Sequence, residues 1–122
     1  MTRPVVKILV VDDELLIRDV VVDLLRDEGY AVVTADDGHA ALEMVQQEAP
    51  ALVLMDVMMP RMDGRAAFQA MRAHAYGENL PVILMSAMVE PTDLDPEITA
   101  FLRKPLDLDH LLTLIAGLLT SR

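Results

Sequence analysis

"LVLMDVMMPRMDG" occupies residues 52–64 and drives four apolar residues into Asp56 before turning through Pro60 to Asp63 and Gly64. An unbroken aliphatic run is the pattern of a strand covered on both faces in a parallel sheet. A strand of that kind should not end on an unpartnered charge, because a buried carboxylate without a counter-charge or hydrogen bonds is costly. No basic residue lies within the run to neutralise Asp56. Its partners must therefore arrive from other parts of the chain or from solution.

Working outward from this stretch, the same alternation recurs. Val5 to Val11 is a second Val/Ile/Leu run, broken only by Lys7. The period then changes: between Glu14 and Glu28, residues Leu16, Ile17, Val20, Val21 and Leu24 fall on one helical face, Leu15 and Val22 lie opposite, and Gly29 stands where a left-handed cap would end the helix. Ala31 to Ala35, Ala51 to Met55, Pro81 to Met85 and Ala100 to Arg103 read as further strands. Gly38 to Glu48 and Gly64 to Ala75 read as helices, and a last helix, capped by Asp107, runs to about Leu119. Five strands alternating with helices specify an α/β fold with a parallel sheet and helices on both faces, because each right-handed crossover needs a helix to return the chain. Ligands of such sheets sit outside the carboxyl ends of the strands.

Composition agrees with one domain spanning 1–122. The 122 residues show no low-complexity linker and no repeat, and 53% hydrophobic residues against 3% aromatic supply an aliphatic core. There is no cysteine, which excludes disulfides, thiolate metal sites and cysteine nucleophiles and suits a reducing cytoplasm. The first apolar run is interrupted by Lys7 and stopped by Asp12 and Asp13, too short for a signal peptide or a membrane span. A net charge of -10 repels polyphosphate backbones and argues against direct nucleic-acid binding. A cytoplasmic protein with no membrane partner is expected.

The residues at the strand ends are Asp12 and Asp13, Asp56, Ser86 and Lys104. Three carboxylates, one hydroxyl and one ammonium thus converge. Carboxylates a few ångströms apart oppose one another's ionisation, and a hard divalent ion resolves the conflict. Mg²⁺ fits, since it binds through one or two carboxylates and leaves positions for phosphate oxygens. With a metal and a lysine beside it, Asp56 is also a plausible phosphoryl acceptor.

The constellation resembles the receiver domain of bacterial two-component response regulators through "ILVVDDE" (8–14), the opening stretch, "PVILMSA" (81–87) and "FLRKPL" (101–106), which together frame nearly the whole chain. The resemblance implies a flavodoxin-like doubly wound sheet of order 2-1-3-4-5. It implies that Asp56 accepts phosphoryl from a histidine kinase or a histidine phosphotransfer protein, and that a downstream target protein reads the result. Asp13 and Asp56, with the backbone carbonyl of Met58, would hold Mg²⁺ directly, and Asp12 mainly through a bound water. Ser86 and Lys104 would each engage a phosphoryl oxygen, Phe101 would stand at the aromatic switch position, and the Lys104–Pro105 bond would be cis. Such a domain catalyses only its own phosphorylation and dephosphorylation.

Plainer readings exist for each residue taken alone. Asp13 would serve as a helix N-cap, Ser86 would satisfy a local backbone group, and Phe101 reads equally as core. Leu15 and Val22 are candidates for a kinase-docking patch, although scattered exposed apolar residues are ordinary. His39, His74 and His110 share no spacing and receive no role, and the methionines around Asp56 read as adaptable filler.

Two features depart from the family. The Ser86-to-Lys104 interval is shorter than usual, lacks the customary Gly-Ala pair, and contains Pro91 and Pro96, so the helix between the fourth and fifth strands should shrink to a turn or two, or a loop. Met58 and Met88 stand two residues beyond Asp56 and Ser86; neither thioether orients an attacking water, so self-dephosphorylation should be slow. Met58 also argues against a haloacid-dehalogenase-type phosphohydrolase, which carries a second aspartate there. An unphosphorylated interaction scaffold is a further alternative. The chain is expected to be a stand-alone regulator or a segment of a longer one, with Met1 favouring the former.

Overall fold

The computed structural model describes residues 5–120. Five strands, β1 (Lys7–Val11), β2 (Ala31–Ala35), β3 (Leu52–Asp56), β4 (Val82–Ser86) and β5 (Ala100–Arg103), pair in the order β2-β1-β3-β4-β5 with every ladder parallel. Three helices return the chain between strands, α1 (Leu15–Asp27), α2 (Gly38–Glu48) and α3 (Gly64–Arg72), and α4 (Leu108–Thr120) follows β5. Among the described residues no helix is long and apolar enough to cross a membrane.

Alternate side chains of the strands build two cores. Leu9, Val11, Val53, Met55 and Leu84 pack with Ala41 and Val45 of α2 and Ala67, Phe68 and Met71 of α3. Ile8, Val10, Leu54, Ile83 and Met85 pack on the other face with Val21, Val22 and Leu25 of α1 and Leu111 and Ile115 of α4. This two-sided burial explains why the central strands are unbroken apolar runs.

Three expectations need correction. The buried face of α1 is Val21, Val22 and Leu25, while Leu16 is 82% exposed and Val20 is also exposed. Eight apolar residues crowd this helix, giving two overlapping stripes, and docking against Ile8, Val10 and Leu54 selects the stripe through Val22. The patch imagined from Leu15 and Val22 therefore does not exist, because Val22 is inside. Next, α3 stops at Arg72 rather than Ala75, and a separate 3₁₀ turn spans Ala75–Gly77; the Arg72 guanidinium donates to the Gly77 and Leu80 carbonyls and draws the chain round. Finally, β3 and β4 extend one residue further than expected, so Asp56 and Ser86 are themselves strand residues.

The expected shortening between β4 and β5 is present. The only helical turn there is a 3₁₀ turn at Pro91–Asp93, and Leu94 is the one buried residue from 87 to 99. Thr99 closes the segment, its hydroxyl accepting from the Val82 N–H at 2.8 Å.

Candidate phosphoryl-transfer and metal site

Parallel pairing brings the ends of β1, β3, β4 and β5 to one edge, and with them all the expected site residues except Phe101, which lies within β5. One oxygen from each of Asp12, Asp13 and Asp56 can be chosen so that all lie within 4.8 Å of one another. Asp12 and Asp56 are buried and Asp13 is exposed. Asp12 spends one oxygen on the backbone N–H of Glu14 at 2.9 Å, which fixes the entry into α1. Glu14, not Asp13, takes the N-cap position, and it makes no side-chain cap. The reading of Asp13 as a mere cap therefore fails, and its carboxylate stands open at the rim.

Lys104 spans the pocket. Its Nζ is 2.9 Å from Asp12 Oδ2, 3.2 Å from Asp56 Oδ2 and 3.4 Å from Glu14 Oε1. Its backbone N–H donates to the Ser86 carbonyl, which couples β5 to β4 at this point. Burial works against the ammonium, but the Asp12 hydrogen bond and the Asp56 and Asp12 charges outweigh it and hold its pKa above the ordinary value. The Lys104–Pro105 peptide is cis, as the resemblance implies.

Asp56 is only 4% exposed. Burial pushes its pKa up to about 6; Lys104 pulls the other way, and the Asp12 charge adds to the rise. The rise comes mainly from burial, the Asp12 charge adds the smaller part expected of crowded carboxylates, and one lysine eases but does not remove it. A set of oxygen ligands around a surplus of negative charge suits a hard divalent cation, so the residues present fit Mg²⁺. The Met58 N–H reaches Asp56 Oδ1 at a long 3.4 Å.

Ser86 is buried, and its Oγ accepts from the N–H groups of Met88 (3.0 Å) and Val89 (3.1 Å). The local backbone reading is thus correct for this conformation, yet the hydroxyl hydrogen is left to donate elsewhere. Phe101 is half-buried at the edge of the α2/α3 core, with the Arg103 guanidinium 5.6 Å from its ring centroid. His74 stacks on Tyr76 outside this pocket.

The sequence reading overlooked several groups. Glu14 contributes a third carboxylate to Lys104, which its place directly after the aspartate pair could have suggested. Arg103 donates to Glu90 at 3.2 Å and to the Ala87 carbonyl at 3.5 Å. Asp37 caps α2 through the Ala40 N–H and forms an ion pair with Arg61 of the loop after Asp56. The Ala40 N–H and Arg61 together hold the Asp37 carboxyl below the usual range. Gly64 is pressed against the end of β3: an added Cβ would collide with the Asp56 carbonyl oxygen and lie 3.0 Å from Val57 Cα.

Beside the pocket lies an apolar groove of about 320 Å³, lined by Leu16, Ile17, Val20, Val21, Pro105 and Leu106 among others. Its chain elements are the start of α1 and the turn that follows Lys104.

Residues 8–116 match the family model for the response regulator receiver domain. The chain is 36% identical over 118 residues to response regulator MprA of Mycolicibacterium vanbaalenii, covering 93% of this chain and 50% of that protein. It is 45% identical over 87 residues to a probable transcriptional regulator, ycf27, of Cyanophora paradoxa, covering 71% of this chain and 35% of that protein. The chain thus spans half or less of the length of these relatives. Among solved structures, chemotaxis response regulator CheY4 of Vibrio cholerae superposes with a TM-score of 0.86 at 30% identity, over 93% of this chain and 98% of that one. The receiver domain of the Pseudomonas aeruginosa sensor histidine kinase PA1611, solved with a magnesium ion coordinated in its active site cleft, gives a TM-score of 0.86 at 27% identity, over 93% of this chain and 97% of that one.

Proposed function

The chain belongs to the response regulator receiver family, and from that premise we propose that it is a Mg²⁺-dependent phosphoacceptor switch in which Asp56 is the acceptor. The observation that carries this reading is the buried Asp56 carboxylate at the tip of β3, within 4.8 Å of two further aspartates and 3.2 Å from the Lys104 ammonium.

In the proposed reaction an Asp56 oxygen attacks the phosphorus of a phosphohistidine. The new P–O bond forms as the P–N bond breaks, and the bonding electrons return to the donor imidazole, which takes up a proton. Lys104 exchanges part of its contact with Asp56 for a phosphoryl oxygen, a charge-assisted pairing available without moving its backbone. Ser86 donates its hydroxyl hydrogen to another oxygen once the Met88 and Val89 N–H groups let it turn. Mg²⁺, held by Asp13, Asp56 and the Met58 carbonyl and reached from Asp12 mainly through water, would supply positive charge to the phosphoryl oxygens. The added negative charge then biases the segment between β4 and β5, whose Met88 and Val89 N–H groups hold Ser86 and whose Glu90 pairs with Arg103. Phe101 has no phenolic hydroxyl, so its contribution to a target surface is shape alone.

The donor is a histidine kinase or a histidine phosphotransfer protein, acting in the cytoplasm. Transfer requires the donor histidine to lie against the Asp56 pocket, so the donor's body must cover the adjoining rim. The apolar groove of Leu16, Val20 and Pro105 is that rim, and it replaces the Leu15/Val22 patch. The protein turns over no separate substrate. A phosphohydrolase reading is disfavoured because Met58 offers no carboxylate for leaving-group chemistry, and a phosphate-free scaffold leaves the crowding at Asp56 without a purpose.

Incubation with Mg²⁺ and acetyl phosphate, followed by mass spectrometry, tests the reading. One phosphoryl adduct is expected on the wild type and none on Asp56→Asn. Absence of an adduct, together with failure to capture beryllofluoride, would overturn it; turnover of small phosphate esters would reopen the hydrolase alternative.

A further inference from the structure

The loop from Met58 to Asp63 is short, and its centre is strained. The Pro60 carbonyl accepts from the Met62 N–H at 2.8 Å, a three-residue γ-turn centred on Arg61, whose φ is 67°. A non-glycine residue in this conformation persists only where surrounding contacts over-determine it. Two such contacts come from the start of α2, its cap Asp37 and its first residue Gly38. Asp37, buried, pairs with the Arg61 guanidinium. The next residue, Gly38, sits so close to Met62 that an added Cβ would lie 2.8 Å from both Met62 Cγ and the Met62 carbonyl oxygen. At its base the loop is closed by the Gly64 N–H donating to the Val57 carbonyl at 2.8 Å.

We propose that Asp37 and Arg61 are positioning residues for the Asp56 pocket: their ion pair holds the Met58–Asp63 loop in one conformation, and with it the Met58 backbone that meets the Asp56 carboxylate. The inference rests on the phosphoacceptor reading and deepens it. Neither residue touches the reacting atoms. Their effect passes through the loop, whose Met58 N–H contacts Asp56 Oδ1 and whose Met58 carbonyl is the expected metal ligand. The start of α2, otherwise remote from the chemistry, thereby sets how the metal-side oxygens are presented. Outer supports of this type tune metal sites by fixing the orientation of the ligands.

Two substitutions separate this role from plain structural support. Asp37→Asn removes the charge but retains a good N-cap for α2. Arg61→Gly removes the guanidinium while relieving the left-handed backbone, so it should not lower stability. Each is expected to weaken Mg²⁺ binding about three- to tenfold, read from amide chemical shifts of Asp12, Asp13 and Asp56 during a MgCl₂ titration. In metal-free protein each should speed hydrogen exchange at the Met58 and Met62 amides, with melting temperature unchanged or raised in Arg61→Gly. The double variant should lose no more affinity than either single one, since both remove the same ion pair. Unchanged Mg²⁺ affinity and unchanged exchange in both variants, with a wild type that binds Mg²⁺, would overturn this inference alone. A wild type indifferent to Mg²⁺ would overturn it together with the functional reading.

Discussion

Two connections leave the same edge of the sheet and are built in opposite ways. The one after β3, Met58–Asp63, is clasped by Asp37, wedged by Gly38 against Met62 and closed by Gly64 on Val57. The one after β4, residues 87–99, is longer, carries a single 3₁₀ turn, buries only Leu94, and is held near its ends by the exposed Arg103–Glu90 pair and by Thr99. The first presents Asp56 and the Met58 backbone; the second carries the N–H groups that hold Ser86. The proposed phosphoacceptor role needs a rigid reacting centre and a reporter cheap to rearrange, and the contacts of the two connections follow that division.

Stiffening is most directly broken at Gly64. Gly64→Ala drives a methyl group into the Asp56 carbonyl oxygen and Val57, and overpacking of this kind should cost about 2–3 kcal/mol in urea unfolding. Phosphorylation should slow as well, because the displaced atoms are the main chain of the acceptor itself. A neutral effect on both would show that this connection is softer than its contacts suggest.

The electrostatic side of the contrast is tested through pH. Burial raises the Asp56 pKa to about 6 from the ordinary 3.8. A folded pKa above the unfolded one means that the folded state binds the proton more tightly, so the stabilisation is complete below about pH 4 and lost as pH rises through about 6. Metal-free Asp56→Asn should therefore be more stable than the wild type at pH 7 by about 2 kcal/mol. Denaturation across the range should show the gap closing towards pH 4; a gap that is constant with pH would mean that the pocket does not resist ionisation.

The rim gives a smaller effect. Met58 is 52% exposed and Met88 79% exposed, two residues beyond Asp56 and Ser86 respectively. Met58→Asn supplies a side chain able to orient water and should shorten the lifetime of the Asp56 phosphoryl group about fivefold, or about 1 kcal/mol of barrier. An unchanged lifetime would count against slow hydrolysis arising from the lack of a water-orienting side chain at Met58. Smallest of all, Glu90→Gln should alter stability by less than about 1 kcal/mol, since its ion pair is exposed. Faster hydrogen exchange confined to 87–90 is expected, and slower exchange would contradict the loose character assigned to this segment.

Much of this was legible from one dimension. Unbroken runs such as Leu52–Met55 mark strands buried on both faces, and the carboxyl-end rule alone brings Asp12, Asp56, Ser86 and Lys104 to one edge. Pro91 and Pro96 announced the lost helix. Where the reading failed, the pattern was degenerate: α1 carries more apolar residues than one face can bury, and periodicity alone gives no reason to prefer Val22 over Leu16. Asp37 was overlooked because an aspartate before Gly38 at a helix start has a sufficient local explanation, and Arg61 because positive φ at an arginine leaves no trace in composition.

The amino-acid order by itself determined the alternating architecture and the chemical inventory at the strand tips, because hydrophobic period and the handedness of crossovers act locally and uniformly along the chain. Only the tertiary structure decided which stripe of α1 faces inward, that Lys104 bridges Asp12 and Asp56, and that Asp37 reaches Arg61 across two elements. Those outcomes depend on distances between segments far apart in sequence, where packing and charge choose among arrangements that the local pattern leaves equivalent.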